Sequence, residues 1–505
     1  MATSPNPFDT LPIETTQHIA SYLTSDFDLT HFRLISPSTL AAVDADNDSF
    51  WRRRFHGVFE RPTTWTPAEQ RSNAHFKAEY QRCRHVLLYG AKFEAALGSG
   101  GRGGSVRNQG AEIRKGIEVL EVLRMLTCDA FSEKPTHDNG EIYHSANLEA
   151  VLNFITNHDL LNFVLLPERT PTYQSQRSTR STSAMDILCL PKALLHTIQV
   201  VLAPAIFDLD RDFNHFSFPT SQQAVYGTSE RHKIFGGAHG LDINMEWVLH
   251  NINFWKYHLM RSAECTLHHA FRDLAADERP RFWSRQIQQG ATTLGTHWKG
   301  SYAYVERDVL RDIRRGVGER EPIPDEFNGE ADTATGCFQD LTLELLDDAA
   351  PLFWPPTFEE HLQSLTAPPS RAKTRAQHRS GELEAVAAHR PLNFQFRGAG
   401  SDVAEDFCAQ GWLNALPAQQ GVPGWRRMTM MKYFEDPDSG AVDEEALWAY
   451  EGVVLPGGEM MLGRWWSPGD GTGEEQYSGP FVLWCVDGPG CGGSAASSVS
   501  DGQRP

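Results

Sequence analysis

The chain changes its hydrophobic rhythm near residue 290. Upstream, apolar residues recur at three- and four-residue spacing, the period that places side chains on one face of a helix. This spacing predicts helices over residues 76–89, 113–126, 148–166, 185–206 and 245–271. The last carries Trp247, Val248, Ile252, Phe254, Trp255, Leu259 and Leu267. Downstream of residue 294 the pattern shortens and alternates, with large side chains next to small or polar ones over 298–304, 338–345, 392–398, 428–434, 447–455, 459–466 and 480–486. Turns such as Pro456-Gly457-Gly458 and Pro468-Gly469-Asp470-Gly471 separate the last of these. Such segments are antiparallel strands, and a closed sheet removes their exposed edges. Trp298-x-Gly300, Phe396-x-Gly398 and Tyr450-x-Gly452 each set an aromatic two residues before a glycine, an arrangement that suits barrel corners, where a ring covers bare backbone. The expected fold class is therefore α+β and multidomain, with short N-terminal helices, a helical middle region and a C-terminal antiparallel β-barrel or sandwich.

Residues 11–51 carry a denser signal. Leu11-Pro12 is followed by Glu14, and Pro12 suits the first turn of a helix because its missing N–H costs nothing there. Ile19 and Leu23 share one helical face, widened by Tyr22. Asp28 is a candidate cap for a second helix with Leu29, Phe32 and Ile35 or Leu34 as its apolar positions. Ser36-Pro37 is a cap followed by a first-turn proline, predicting a third helix through Leu40 and Val43. Asn47 or Asp48 then caps a segment holding Phe50, Trp51 and Phe55. Helices this short, over roughly 45 residues, keep too much surface to bury their apolar faces alone, so the leftover face calls for a partner.

With Leu-Pro-x-Glu, Asp28-Leu29 and the closing Trp51, residues 6–56 resemble the F-box family. One departure stands out: after Ile35 many members carry Cys or Ser, then a basic residue and an aromatic, whereas this chain reads Ser36-Pro37-Ser38-Thr39. The resemblance implies docking on a Skp-type adaptor and, through it, a cullin scaffold, as the substrate-recognition subunit of an SCF-type ubiquitin ligase. Leu11, Pro12, Ile13, Ile19, Leu23, Leu29, Phe32 and Ile35 would supply the docking module, some facing the adaptor and some its own core. The strand-rich last third resembles, more softly, the β-barrel found downstream of the F-box in some substrate-binding members. Its marks are Phe396-x-Gly398-x-Gly400-x-Asp402, Gly411, Lys432-Tyr433, Tyr450-x-Gly452, Gly463-Arg464-Trp465-Trp466 and Ser478-Gly479-Pro480-Phe481. A chain of this kind is non-catalytic, takes no cofactor, and works in the cytoplasm or nucleus.

At 505 residues the chain exceeds a single core, and its formal charge of −19 argues against general nucleic-acid binding. No basic stretch followed by an apolar run opens it, and its most apolar stretch, 188–207, is interrupted by Lys192, His196 and two prolines, so neither a secretory leader nor a membrane span is expected. Eight scattered cysteines without a C-x-x-C pair imply free thiols. The expected divisions are 6–56, a helical platform over 57–290, a β domain over 291–487 and an unstructured tail over 488–505, with insertions near 314–335 and 366–390 lacking structure of their own.

Candidate chemistry is thin. Gly98-x-Gly100-x-x-Gly103 meets the dinucleotide-site pattern but follows a helical segment rather than a strand, so it is read as a loop. Cys265, His268 and His269 lack a second ligand pair, and no metal is expected. For a substrate protein the residue types favoured at interfaces are Trp425, Arg426, Arg427, Arg464 and Trp466, beside turn-rich segments where a barrel presents its rim. The arginines are expected to be exposed and to suit an acidic or phosphorylated degron. The alternative is a small-molecule-binding barrel or an enzyme with a structural helical cap, since barrels of about eight strands can enclose one ligand.

Overall fold

The computed structural model describes residues 8, 10–45, 50–90, 106–132, 144–158, 160, 192–208, 217–237, 240–260, 266–287, 294–315, 338–346, 354–356, 358, 362, 394–401, 405–435, 439–443, 446–470 and 476–487. Described residues up to 158 form one compact unit, and those from 160 onward form a second. The helical middle region expected over 57–290 is thus not a unit of its own. Its first helices belong with the N-terminal ones, and its later helices pack with the strands.

The first unit contains α1 (Ile13–Ser21), α2 (Asp26–Arg33), α3 (Pro37–Val43), α4 (Phe50–His56), α5 (Asn73–Tyr89), α6 (Val106–Cys128) and α7 (Ala146–Asn157). Serine caps start four of them: Ser25 accepts from the N–H groups of Phe27 and Asp28, Ser36 from Thr39, Ser72 from His75 and Ser145 from Leu148. Ser36 and Thr39 form a reciprocal capping box, and Pro37 takes the first turn as expected. Two sequence expectations shift. Pro12 lies just before α1, as its N-cap, and the cap of α2 is Ser25 rather than Asp28. Leu29, Phe32, Val43, Phe50, Trp51 and Phe55 are buried, and α4 packs on α5 through Trp51 with Tyr80 and Phe55 with Phe76, at ring separations of 5.7 and 5.6 Å.

The second unit opens with α8 (Lys192–Val201), α9 (Ala203–Asp208) and α10 (Phe218–Tyr226). Then follow a two-stranded ribbon of β1 (Phe235–Gly236) and β2 (Asp242–Ile243), then α11 (Met245–Met260) and α12 (Thr266–Asp273). The periodic run over 185–206 is broken between Val201 and Ala203, and Pro204 falls in the first turn of α9, where its ring fits. α11 is buried almost all round, its polar residues Asn251, Asn253, Lys256 and His258 included, and it packs against α8, α10, α12 and the barrel.

The barrel is closed and antiparallel. Its strands are β3 (His297–Tyr302), β4 (Gln339–Leu346), β5 (Phe394–Ser401), β6 (Asp406–Ala415), β7 (Arg426–Tyr433), β8 (Trp448–Val454), β9 (Met460–Trp466) and β10 (Ser478–Cys485). Each pairs with the next in sequence, and β10 returns to β3 with Phe481 opposite Tyr302 and Cys485 opposite Trp298. One register row runs Phe396–Gly411–Met430–Tyr450–Trp465 across five strands and faces inward. Trp298, Leu341, Leu343, Phe407, Leu413, Phe481 and Leu483 complete the filling, which is how an eight-stranded barrel becomes a packed core. Gly411 admits the neighbouring strand: a Cβ there would be driven into the Thr429 carbonyl oxygen. At Gly452 the Phe481 ring covers the bare backbone.

Strand β6 escaped the alternation pattern because both its faces are covered: Phe407, Ala409 and Leu413 fill the barrel while Gln410, Trp412 and Asn414 are buried outside it. α13 (Arg307–Arg315) corrects the start of the first insertion. Arg314 there donates to the Tyr226 carbonyl at 2.9 Å and to Ser478 Oγ at 2.8 Å. Residues 316–337, 363–393 and 488–505, which hold the rest of that insertion, the second one and the tail, lie outside the described residues.

Candidate docking site

α1 buries a narrow, partly polar face. Its buried face is Thr16, Gln17 and Ala20, while Ile13, Ile19 and Tyr22 stand in solvent. This face is hydrogen-bonded in part, Gln17 Oε1 being buried without a partner among the described residues. Gln17 Nε2 donates to the Ala42 carbonyl at 2.8 Å, tying α1 to α3, and Thr16 Oγ1 donates to the Pro12 carbonyl at 3.2 Å. α2 splits its apolar residues: Leu29 and Phe32 point into the core, whereas Phe27 and Leu34 are 67% and 73% exposed. Ile35 and Leu40 add to the exposed set. Among the described residues ten large hydrophobic side chains are exposed, and eight of them lie between residues 11 and 40: Leu11, Ile13, Ile19, Tyr22, Phe27, Leu34, Ile35 and Leu40. Single exposed hydrophobics need no explanation, but a concentration in one short module marks an interaction surface.

Two carboxylates hold this module in shape. Asp26 accepts from Tyr80 Oη at 2.6 Å, Arg84 Nε at 2.7 Å and Arg54 Nη2 at 3.0 Å. Arg54 also donates to the carbonyls of Leu23 and Thr24, closing the α1–α2 turn onto α4. Asp44 accepts from Arg33 at 2.6 Å, Lys77 at 2.7 Å and Trp51 Nε1 at 3.1 Å. Desolvation works against both charges, yet the donated hydrogen bonds and the cations outweigh it and hold both carboxyls below their ordinary range. Asn73 completes the frame, accepting from the Trp51 N–H at 3.0 Å and donating to the Ala45 carbonyl at 2.7 Å. The closing Trp of the motif therefore works as a buried keystone.

Of the eight docking residues read from sequence, Leu11, Pro12, Ile13, Ile19 and Ile35 are exposed, Leu23 is half-buried, and Leu29 and Phe32 are core. Sequence reasoning missed Phe27 and did not separate Leu34, Ile35 and Leu40 from core positions. Their signal was the surplus of apolar residues over what a helix of seven or eight residues can bury.

The five residues proposed for substrate contact are corrected. Trp425 is buried, with Nε1 bonded to the Val422 carbonyl at 2.9 Å. Arg426 is 2% exposed and lies inside the barrel wall, 5.3 Å from the centre of the Phe394 ring. Arg427 is 5% exposed on the outer face, where it pairs with Glu451 and donates to the Leu362 carbonyl. Arg464 donates to the Val225 carbonyl at 3.1 and 2.8 Å and lies 5.4 Å from the Trp247 ring centre, fixing the helices to the barrel. Trp465 points inward and Trp466 outward, but Trp466 is covered by Phe358 and Leu362. Arg426 and Arg427 are buried and Arg464 is half-buried, each engaged with the protein's own carbonyls or rings, rather than exposed as expected.

The glycines at 98, 100 and 103 and Cys265 lie outside the described residues, while His268 is buried with Nδ1 2.9 Å from the Leu259 carbonyl. Among the described residues no helix is long and apolar enough to cross a membrane. No protein-family model matches the chain, and neither a curated protein nor a solved structure shows significant similarity to it.

Proposed function

We propose that the chain is the substrate-recognition subunit of an SCF-type ubiquitin ligase, with the N-terminal helices acting as an F-box that docks a Skp-type adaptor and, through it, a cullin. The observation that carries this reading is α1, which buries only Thr16, Gln17 and Ala20 while Ile13, Ile19 and Tyr22 are left in water. A helix that served only as a cap on its own protein would gain by turning the other way, since each large apolar side chain removed from water contributes about 1.5–3 kcal/mol. The exposed set coincides with the stretch whose Leu-Pro-x-Glu, Asp-Leu and Trp pattern resembles the F-box family. In this role the chain performs no chemistry, and the second unit serves capture of a substrate protein.

The test is reconstitution. Full-length chain mixed with a purified Skp-type adaptor should elute as a stoichiometric complex and recruit a cullin scaffold. Leu11→Ala with Pro12→Ala should weaken the adaptor complex about tenfold, which is 1.4 kcal/mol. Undiminished binding by that double variant, or no complex with the unaltered chain, removes the reading.

A further inference from the structure

Helix α5 carries a polar stripe. Asn73, Lys77, Tyr80 and Arg84 follow at spacings of four, three and four residues, so they lie along one face of the helix. Each of them bonds to the segment 11–56. Asn73 accepts from the Trp51 N–H and donates to the Ala45 carbonyl, and Lys77 pairs with Asp44 at 2.7 Å. Tyr80 Oη donates to Asp26 at 2.6 Å and accepts from Arg54 Nε at 3.1 Å. Arg84 Nε donates to Asp26 at 2.7 Å. The stripe thus meets the start of α2, the end of α3 and the start of α4. Arg82, by contrast, pairs with Glu79 within α5 at 3.1 Å and with Glu118 of α6 at 3.7 Å.

α2 depends on these bonds more than its neighbours do. It has eight residues, too few to hold a helix without tertiary support, and only Leu29 and Phe32 anchor it in the core. Two core side chains leave its rotation about its own axis weakly set. Successive residues on a helix point about 100° apart, so drawing Asp26 toward α5 turns the next residue, Phe27, away from it. Two of the three side-chain donors to Asp26 come from α5, and the third, Arg54, is itself held by Tyr80. Without α5 the segment 6–56 would keep a single ion pair at this point, between Arg54 and Asp26. A binding face held in one arrangement before its partner arrives binds more tightly than one that must be ordered on contact.

We propose that α5 is an integral part of the adaptor-docking module, in which Tyr80 and Arg84 are positioning residues that set α2 for the adaptor without touching it. The assignment rests on the reading of the N-terminal helices as an adaptor-docking F-box. It moves the functional end of that module from residue 56, where the family resemblance stops, to residue 84.

The test measures association and dissociation rates of a purified Skp-type adaptor on the full chain, with hydrogen exchange of the free and bound forms. Tyr80→Phe combined with Arg84→Met should weaken the complex about tenfold, the scale of losing one or two hydrogen bonds that hold the competent arrangement. The loss should fall on the association rate and leave dissociation unchanged, because the bound arrangement is the same once formed. Exchange should quicken across α2 in the free variant, return to the unaltered level in the complex, and stay unchanged across α4. Arg84→Lys, which keeps a charged donor, should recover most of the affinity lost in Arg84→Met, and Arg82→Met should bind as the unaltered chain does. Should the double variant fail to fold, Arg84→Met alone, at a half-exposed position, reads the same contrast. Undiminished binding, a loss carried by faster dissociation, or equal loosening of α2 and α4 overturns the role of α5 while the ligase reading stands. No complex with the unaltered chain removes the ligase reading, and this role with it.

Discussion

The N-terminal helices and the barrel treat the same residue types in opposite ways. In the helices, isoleucine, leucine, tyrosine and phenylalanine stand in water while Gln17 and Thr16 are buried and hydrogen-bonded to backbone carbonyls. In the barrel unit, arginines and a lysine are buried among rings and carbonyls, and the aromatic residues fill the core. Arginine and tryptophan are enriched at interfaces, but those frequencies do not tell whether a given side chain already has its partner inside the chain. Among the described residues the apolar face of α1 lacks cover, whereas the barrel arginines have theirs. An interface is therefore better found by asking what remains unsatisfied than by residue type.

Breaking the barrel should have the largest effect. Gly411→Val drives a branched side chain into the Thr429 carbonyl and should cost about 4 kcal/mol or more, read as loss of the near-ultraviolet tryptophan signal. Removing an outer-face arginine comes next. Arg427→Ala strips Glu451 and the Leu362 carbonyl of their donor and should cost about 3 kcal/mol in urea unfolding. Had Arg427 been a free degron contact, that substitution would leave stability unchanged, so a flat result would restore it to the surface.

Acid should separate the regions more gently. Burial lowers His250 to about 3 and, more weakly, His232 to about 4, so both are neutral in the folded state but protonate near 6.5 when unfolded. Their contribution to the second unit is present above pH 6.5 and is lost as pH falls toward those folded values. In the first unit Asp26 and Asp44 are held below the ordinary carboxylate value of 3.8, and their contribution survives until pH falls through the folded values. Hydrogen exchange at pH 5 should thus show α11 loosened while α2 and α5 keep the protection they have at pH 7. Equal protection of α11 at both pH values would show that the buried histidines do not govern the difference.

Much of this architecture was legible in the sequence. Seven of the eight barrel strands announced themselves by alternation, and Ser36-Pro37 marked the start of α3 correctly. β6 was hidden because burial on both faces erases the period of two. The division between units was hidden because the same helical spacing continues on both sides of it, and spacing says nothing about which neighbour a helix packs against. At the docking module the apolar surplus was visible but its direction was not. Leu29 and Phe32 differ from Phe27 and Leu34 only in which side of a two-turn helix they occupy, and Asp26 bonded to Arg54, Tyr80 and Arg84 is what fixes that side.

The most direct measurement is titration of a purified Skp-type adaptor into the full chain, beside thermal unfolding of the same samples, for Ile13→Asp and Leu29→Ala. Ile13 is 47% exposed, so Ile13→Asp should leave stability within about 0.5 kcal/mol of the unaltered chain. Placing its charge in an apolar contact should weaken adaptor binding about a hundredfold, near 2.7 kcal/mol. Leu29 is buried, so Leu29→Ala should instead cost about 2–4 kcal/mol of stability. Adaptor binding that survives Ile13→Asp, in a chain as stable as the original, would contradict the account.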